Sequence, residues 1–125
     1  VNELSPLGVA FAAIMSNDTE TYPADSFEHM QRWSQELRFP FPYLLDDSQQ
    51  VARAYGAVCT PDFFGYNAEL KLQYRGRLDA GRTSEPPAGS PRELYEAMRT
   101  IATTGEGPAE QIPGIGCSIK WRSAS

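Results

Sequence analysis

The chain has 125 residues, which is one domain's worth, and its 11 Lys and Arg against 16 Asp and Glu give a net charge of −5. That balance, with no basic run, argues against nucleic-acid binding, which needs a positive footprint. No stretch approaches the ~20 apolar residues of a membrane helix, and two cysteines with one histidine supply neither a disulfide scaffold nor a recognisable metal-ligand cluster.

Residues 9–15 (VAFAAIM) form a continuous apolar stretch between Gly8 and Ser16-Asn17-Asp18. It is too short for a typical helix and reads as a strand buried on both faces. Residues 16–22 are polar and loop-like. Asp25 and Glu28 then stand as an N-cap and its N3 acid, and Phe27, Met30, Trp33 and Leu37 follow at helical spacing. Residues 26–38 are therefore expected as an amphipathic helix with one apolar face. His29 falls in that helix as a solvated or rim residue. Phe39-Pro40-Phe41-Pro42 ends it. Tyr43-Leu44-Leu45 is a short strand. Asp47 and Gln50 read as a second capping pair, for a short helix through Tyr55 with Gly56 as its stop.

Strands at 62–66 and 70–76, joined by Asn67-Ala68-Glu69, predict a β-hairpin. Residues 79–90 are a polar Gly/Pro/Ser loop. Ser90, Pro91 and Glu93 mark the start of a last helix. Leu94, Tyr95, Met98, Ile101 and Ala102 trace its buried face, and Gly105 ends it. Residues 106–125 form an irregular tail. The whole, 1–125, is expected as a single three-layer α/β domain with the strands at 9–15, 62–66 and 70–76 in one sheet.

Two stretches carry chemistry. In Cys59-Thr60-Pro61-Asp62-Phe63-Phe64 a thiol stands two residues before a proline that opens an apolar strand. Proline lacks an N–H, so in a sheet it belongs at a strand's first residue, an edge or a bulge, and its preceding bond can be cis. Cys59 is thereby either held at a sheet end for thiol chemistry or is a buried structural residue. Only the thiolate reacts. The sequence neighbours Ala57, Val58 and Asp62 offer nothing to lower the Cys59 pKa, and Asp62 tends to raise it.

The second thiol, Cys117, has Lys120 and Arg122 nearby, which is weakly favourable. Neither cysteine reads as a lone nucleophile; a resolving or regulatory role fits better. The tail's Ile112, Ile115, Ile119 and Trp121 need something to pack on. That need either folds Cys117 back towards Cys59 or leaves it packed as a small hydrophobe. A single histidine leaves no Ser/His/acid set for a hydrolase.

Three stretches support a resemblance. They are Ser16-Asn17-Asp18 with Tyr22-Pro23, the Cys-Thr-Pro-Asp-Phe-Phe run, and the tail Ile115-Gly116-Cys117-Ser118-Ile119-Lys120-Trp121. With the element order, they resemble a peroxiredoxin-like branch of the thioredoxin superfamily, related to the alkyl-hydroperoxide-reductase and thiol-specific-antioxidant proteins. The likeness runs over roughly residues 7–121. It implies a thioredoxin-like fold with Pro61 as the cis-proline facing the redox centre, Thr60 before it, Cys59 on the same loop and Cys117 as the tail cysteine. Cys59 and Cys117 would then do the thiol chemistry, with Thr60, Pro61 and Asp62 meeting substrate or partner.

Members of that branch begin with a further hairpin, a central strand and a cysteine-bearing turn, none of which residues 1–7 can supply. The resemblance thus implies a fold truncated at its N-terminus. A strand would be missing between 9–15 and 62–66, and the open sheet edges would favour a homo-oligomer.

The implied function is thiol-dependent reduction of a peroxide or exchange with a thiol/disulfide substrate. It needs no cofactor, and a protein reductant such as a thioredoxin would serve it. The few cysteines and the lack of a charged, apolar opening segment point to the cytoplasm. The alternative is a redox-inactive module that binds a peptide or protein along the Pro61 edge.

Overall fold

The computed structural model describes residues 3–23, 26–81, 86–114 and 116–122. Backbone contacts divide the chain into two compact units, one holding Ala10–Val58 and Ser118–Ser125, the other Asn2–Val9 and Cys59–Cys117.

In the first unit, β1 (Ala13–Met15) pairs in parallel with β2 (Tyr43–Leu45), with Ile14 opposite Leu44. The crossover that a parallel pair requires carries α1 (Phe27–Glu36), which packs on β2. Asp25, the expected cap of α1, lies outside the described residues. Ser26 takes that role: its backbone is extended and its hydroxyl accepts the His29 N–H. The same hydroxyl lies 2.7 Å from His29 Nδ1, so the histidine is a half-buried partner of the cap.

The apolar face of α1 is only partly covered. Met30 is buried, but Phe27, Trp33 and Leu37 are 50%, 56% and 57% exposed. β1 is also shorter than the apolar run and one-sided. Ile14 and Leu44 are 40% and 49% exposed, so burial on both faces is corrected to burial on one.

α2 (Gln50–Tyr55) stops at Gly56, whose φ of 71° lies in the left-handed region that glycine enters freely. Its capping carboxylate is Asp46 rather than Asp47. Asp46 accepts the Val51 and Ala52 N–H groups at 3.3 and 2.9 Å and the Ser16 hydroxyl at 2.8 Å.

In the second unit, β4 (Phe63–Tyr66) and β5 (Leu72–Gly76) form the expected antiparallel hairpin. Asn67 builds its turn by accepting the Glu69 and Lys71 N–H groups. α3 (Glu93–Thr104) packs on both strands through Ala97, Met98 and Ile101, with Tyr74 buried on β5. Ala102, expected on that face, is exposed. The expected Ser90–Glu93 capping pair does not form. The Glu93 carboxylate instead takes both Nε and NH2 of Arg77, with contacts down to 2.6 Å, and the residue before the helix, Arg92, gives no side-chain cap.

Two-residue strands β3 (Cys59–Thr60) and β6 (Cys117–Ser118) complete the fold. Among the described residues the strands form three separate two-stranded ladders, β1–β2, β3–β6 and β4–β5. The expectation of one sheet through 9–15, 62–66 and 70–76 is thereby corrected. Among the described residues no strand carries ladder hydrogen bonds from β1 to the hairpin.

Candidate functional site: the two thiols and the tail

The thiol site lies within the second unit. Cys59 is half-buried on β3, and its Sγ donates to the Pro61 carbonyl at 3.6 Å. The Thr60–Pro61 peptide bond is cis. Next in the chain, the Asp62 carboxylate is almost wholly buried, 5% exposed, and receives the Arg75 guanidinium at 3.2 Å. Arg75 stands on β5 opposite Phe64 and also lies 5.0 Å from the centre of that ring.

These surroundings set the thiol's chemistry. Burial pushes the Cys59 pKa up, the Asp62 charge pushes it further, and Arg75 opposes both without cancelling them. The upward push from Asp62 agrees with the sequence reading. Arg75 was not legible there, because it lies 13 residues from Asp62 and only the hairpin register brings it close.

The tail reaches this site through its glycines. A Cβ on Gly114 would stand 3.3–3.4 Å from Cys59 Sγ, the Pro61 carbonyl and the Asp62 carboxylate. A Cβ on Gly116 would overlap the Thr60 carbonyl. Thr60 Oγ1 then donates to the Cys117 carbonyl at 3.3 Å. The structure thus brings Cys59, Thr60, Pro61, Asp62 and Cys117 together in one unit. Both thiols are free, Cys59 half-buried and Cys117 exposed. The Thr60 side chain holds the Cys117 backbone. β6 also pairs with β3 at the edge where the peptide-binding alternative would place its ligand.

Asn17 and Asp18 meet Lys120, near the end of the tail, in the first unit. Asn17 Oδ1 accepts the Lys120 N–H at 2.9 Å, and the Asp18 N–H donates to the Lys120 carbonyl at 2.7 Å. Between them lies Gln49, 2% exposed and at a φ of 65°. Its Nε2 donates to the carbonyls of Ser16 (2.7 Å) and Lys120 (2.9 Å), and its Oε1 accepts the Arg122 N–H at 2.9 Å.

The Arg122 guanidinium binds Asp18 at 3.1 Å and Asp47 at 2.7 Å, so this cation is committed to carboxylates. Lys120 Nζ lies 3.4 Å from Ser118 Oγ. Asp18 titrates below its usual range, chiefly through the Thr21 hydroxyl, with the Glu20 and Thr21 N–H groups and Arg122 adding to the effect against its desolvation.

A shallow depression of about 550 Å³ lies in the first unit, lined by Ile14, Leu44 and Val51 with Asp46, Asp47 and Ser48; neither cysteine lines it. Among the described residues no three His, Cys, Asp or Glu side chains gather as a metal site, and no helix is long and apolar enough to cross a membrane.

The profile of the AhpC/TSA family matches residues 1–77, a stretch that includes Cys59 and ends before Cys117. A solved structure of an uncharacterized conserved protein from Geobacillus kaustophilus is 45% identical, with a TM-score of 0.85 over 99% of this chain and 66% of that one. A hypothetical protein from Sinorhizobium meliloti 1021 is 36% identical, with a TM-score of 0.85 over 98% of this chain and 67% of its own. The chain thus spans about two thirds of the length of these relatives. No curated protein matches. The matched profile and the 45% identity over nearly the whole chain make this protein a member of the AhpC/TSA family, with a peroxiredoxin-like thioredoxin fold.

Proposed function

We infer that the chain serves a thiol-dependent oxidoreductase that exchanges disulfides or reduces a peroxide, using Cys59 and Cys117. The observation that carries this reading is the placing of two free thiols on paired strands, β3 and β6, beside Pro61. Their exposures divide the work. Cys117 is open to solvent and meets the substrate first. Cys59, half-buried beside Asp62 with its pKa pushed up, suits the second, resolving step.

With a disulfide substrate, the Cys117 thiolate attacks one sulfur and the substrate S–S bond breaks. A mixed disulfide forms, and the leaving thiolate takes a proton from water. Cys59 then loses its proton and attacks the Cys117 sulfur. The Cys59–Cys117 bond closes and the second substrate thiol leaves. The pair has given up two electrons and two protons. With a peroxide, the first attack breaks the O–O bond and yields a sulfenic acid and an alcohol or water. Condensation with the second thiol releases water. A dithiol protein such as a thioredoxin would reset the pair.

Closure needs Cα atoms about 4.4–6.8 Å apart, a range compatible with neighbouring strands roughly 4.7–4.9 Å apart.

The test is dithiol-dependent turnover of peroxide and of a small disulfide by the full-length protein that carries this chain. Cys117→Ser is expected to abolish turnover and Cys59→Ser to trap the mixed disulfide. Turnover unchanged in both variants would defeat the reading.

A further inference from the structure

Residues 120–122 are gripped as a bound peptide is gripped. At Lys120 the backbone is read on both sides, N–H by Asn17 and C=O by Gln49 and the Asp18 N–H. Two residues on, Gln49 reads the Arg122 N–H, and Asp18 and Asp47 take its guanidinium, with Glu20 3.8 Å away. The residue between, Trp121, is 38% exposed, with the Arg53 guanidinium 4.3 Å from its ring centre. The cradle therefore recognises extended backbone at one position and a guanidinium two positions later.

The grip is almost wholly polar. Hydrogen bonds exchange with water at small net gain, and partly exposed ion pairs add little. The last buried apolar anchor, Ile119 at 5% exposure, stops just short of it. Of the described residues after Ile119, Lys120 and Arg122 are half-buried and Trp121 is exposed. At the centre of the cradle Gln49 holds a left-handed conformation that non-glycine residues seldom adopt, and strain of that kind concentrates at clamps and switches.

We propose that Asn17, Asp18, Asp47 and Gln49 form a docking site for an extended, arginine-bearing segment of a partner protein, and that residues 120–122 are its resident occupant, a latch such a segment displaces. The acidic cage selects the guanidinium, and arginine's planar fork suits its two carboxylates better than lysine's point charge.

The test uses the full chain and the probe peptide acetyl-Ile-Lys-Trp-Arg-amide, with amide hydrogen exchange read at Lys120 and Arg122. Both amides are expected to be protected in the protein alone. Millimolar probe should speed their exchange about tenfold, as loss of one charge-assisted contact implies, and the probe with Ala for Arg should not. Arg122→Ala should speed the exchange without probe and bind the probe more tightly.

No effect of the probe, together with wild-type exchange in Arg122→Ala, would overturn the proposal. If exchange instead quickens with protein concentration while the mass doubles, the occupant is a second copy's tail and the partner-protein claim falls.

Discussion

At the scale of single residues, the Cys59 thiol is governed by two charges of opposite sign. Asp62 pushes its pKa up and Arg75 pulls it down. Asp62→Asn removes the upward push, so more thiolate is present at neutral pH, and Cys59 alkylation should speed up, with its pH profile moving to lower pH. Arg75→Ala should move the profile the other way. It also strips a buried carboxylate of its guanidinium partner, which costs about 1–3 kcal/mol of stability. Alkylation rates followed by mass across pH, with denaturant melts of the same variants, check both.

Cys59, Thr60, Pro61 and Asp62 were legible in the sequence because they are contiguous and the proline fixes their setting. Arg75 and Gln49 were not. Arg75 reaches Asp62 through hairpin register, and Gln49 meets a tail segment 71 residues away. No local pattern announces either contact.

Among the elements, the helix stops at Gly56 and Gly105 and the hairpin turn at Asn67 stand where the sequence placed them, because left-handed glycine and the Asx turn are local chemistry. The caps were misplaced by one residue where two suitable side chains are adjacent, Asp46 beside Asp47. Tertiary partners decide such cases: the Ser16 hydroxyl holds Asp46, and Arg77 draws Glu93 away from the start of α3.

Asp46 makes a pH-dependent prediction. Burial raises its pKa, but the Ala52 N–H, the Ser16 hydroxyl and the Val51 and Gln49 N–H groups outweigh it, and the net folded pKa is lowered. A lowered folded pKa gives stability that is full above the ordinary carboxylate pKa, about 3.9, and is lost as pH falls through the folded value. Asp46→Ala should cost about 1–2 kcal/mol at pH 7, and the gap to wild type should close in melts below about pH 4.

Glycines give a second contrast. Gly116→Ala drives a methyl into the Thr60 backbone, whereas Gly65→Ala meets the flexible Met98 thioether. The first should cost about 1–3 kcal/mol and loosen β6, and the second should cost less in the same thermal melts.

For the molecule as a whole, the strands at 9–15, 62–66 and 70–76 were legible singly but not in their pairing. A single sequence shows strand-forming runs and does not show which ladder each joins. The continuous run 9–15 promised burial on both faces, yet Ile14 and Leu44 stay open, and Phe27, Trp33 and Leu37 are exposed as well. Exposed apolar side chains of this size predict association between copies. Light scattering should give a mass that rises with concentration and falls back in Trp33→Glu/Leu37→Glu; a constant monomer mass at high micromolar protein would contradict it.

The most direct test of the central claim is the fate of the two thiols under stoichiometric oxidation. The full-length protein is treated with one equivalent of peroxide, alkylated, digested and mapped by mass. The account predicts loss of both free thiols and a peptide pair joined through Cys59 and Cys117. Two intact, alkylated cysteines at these positions would contradict it.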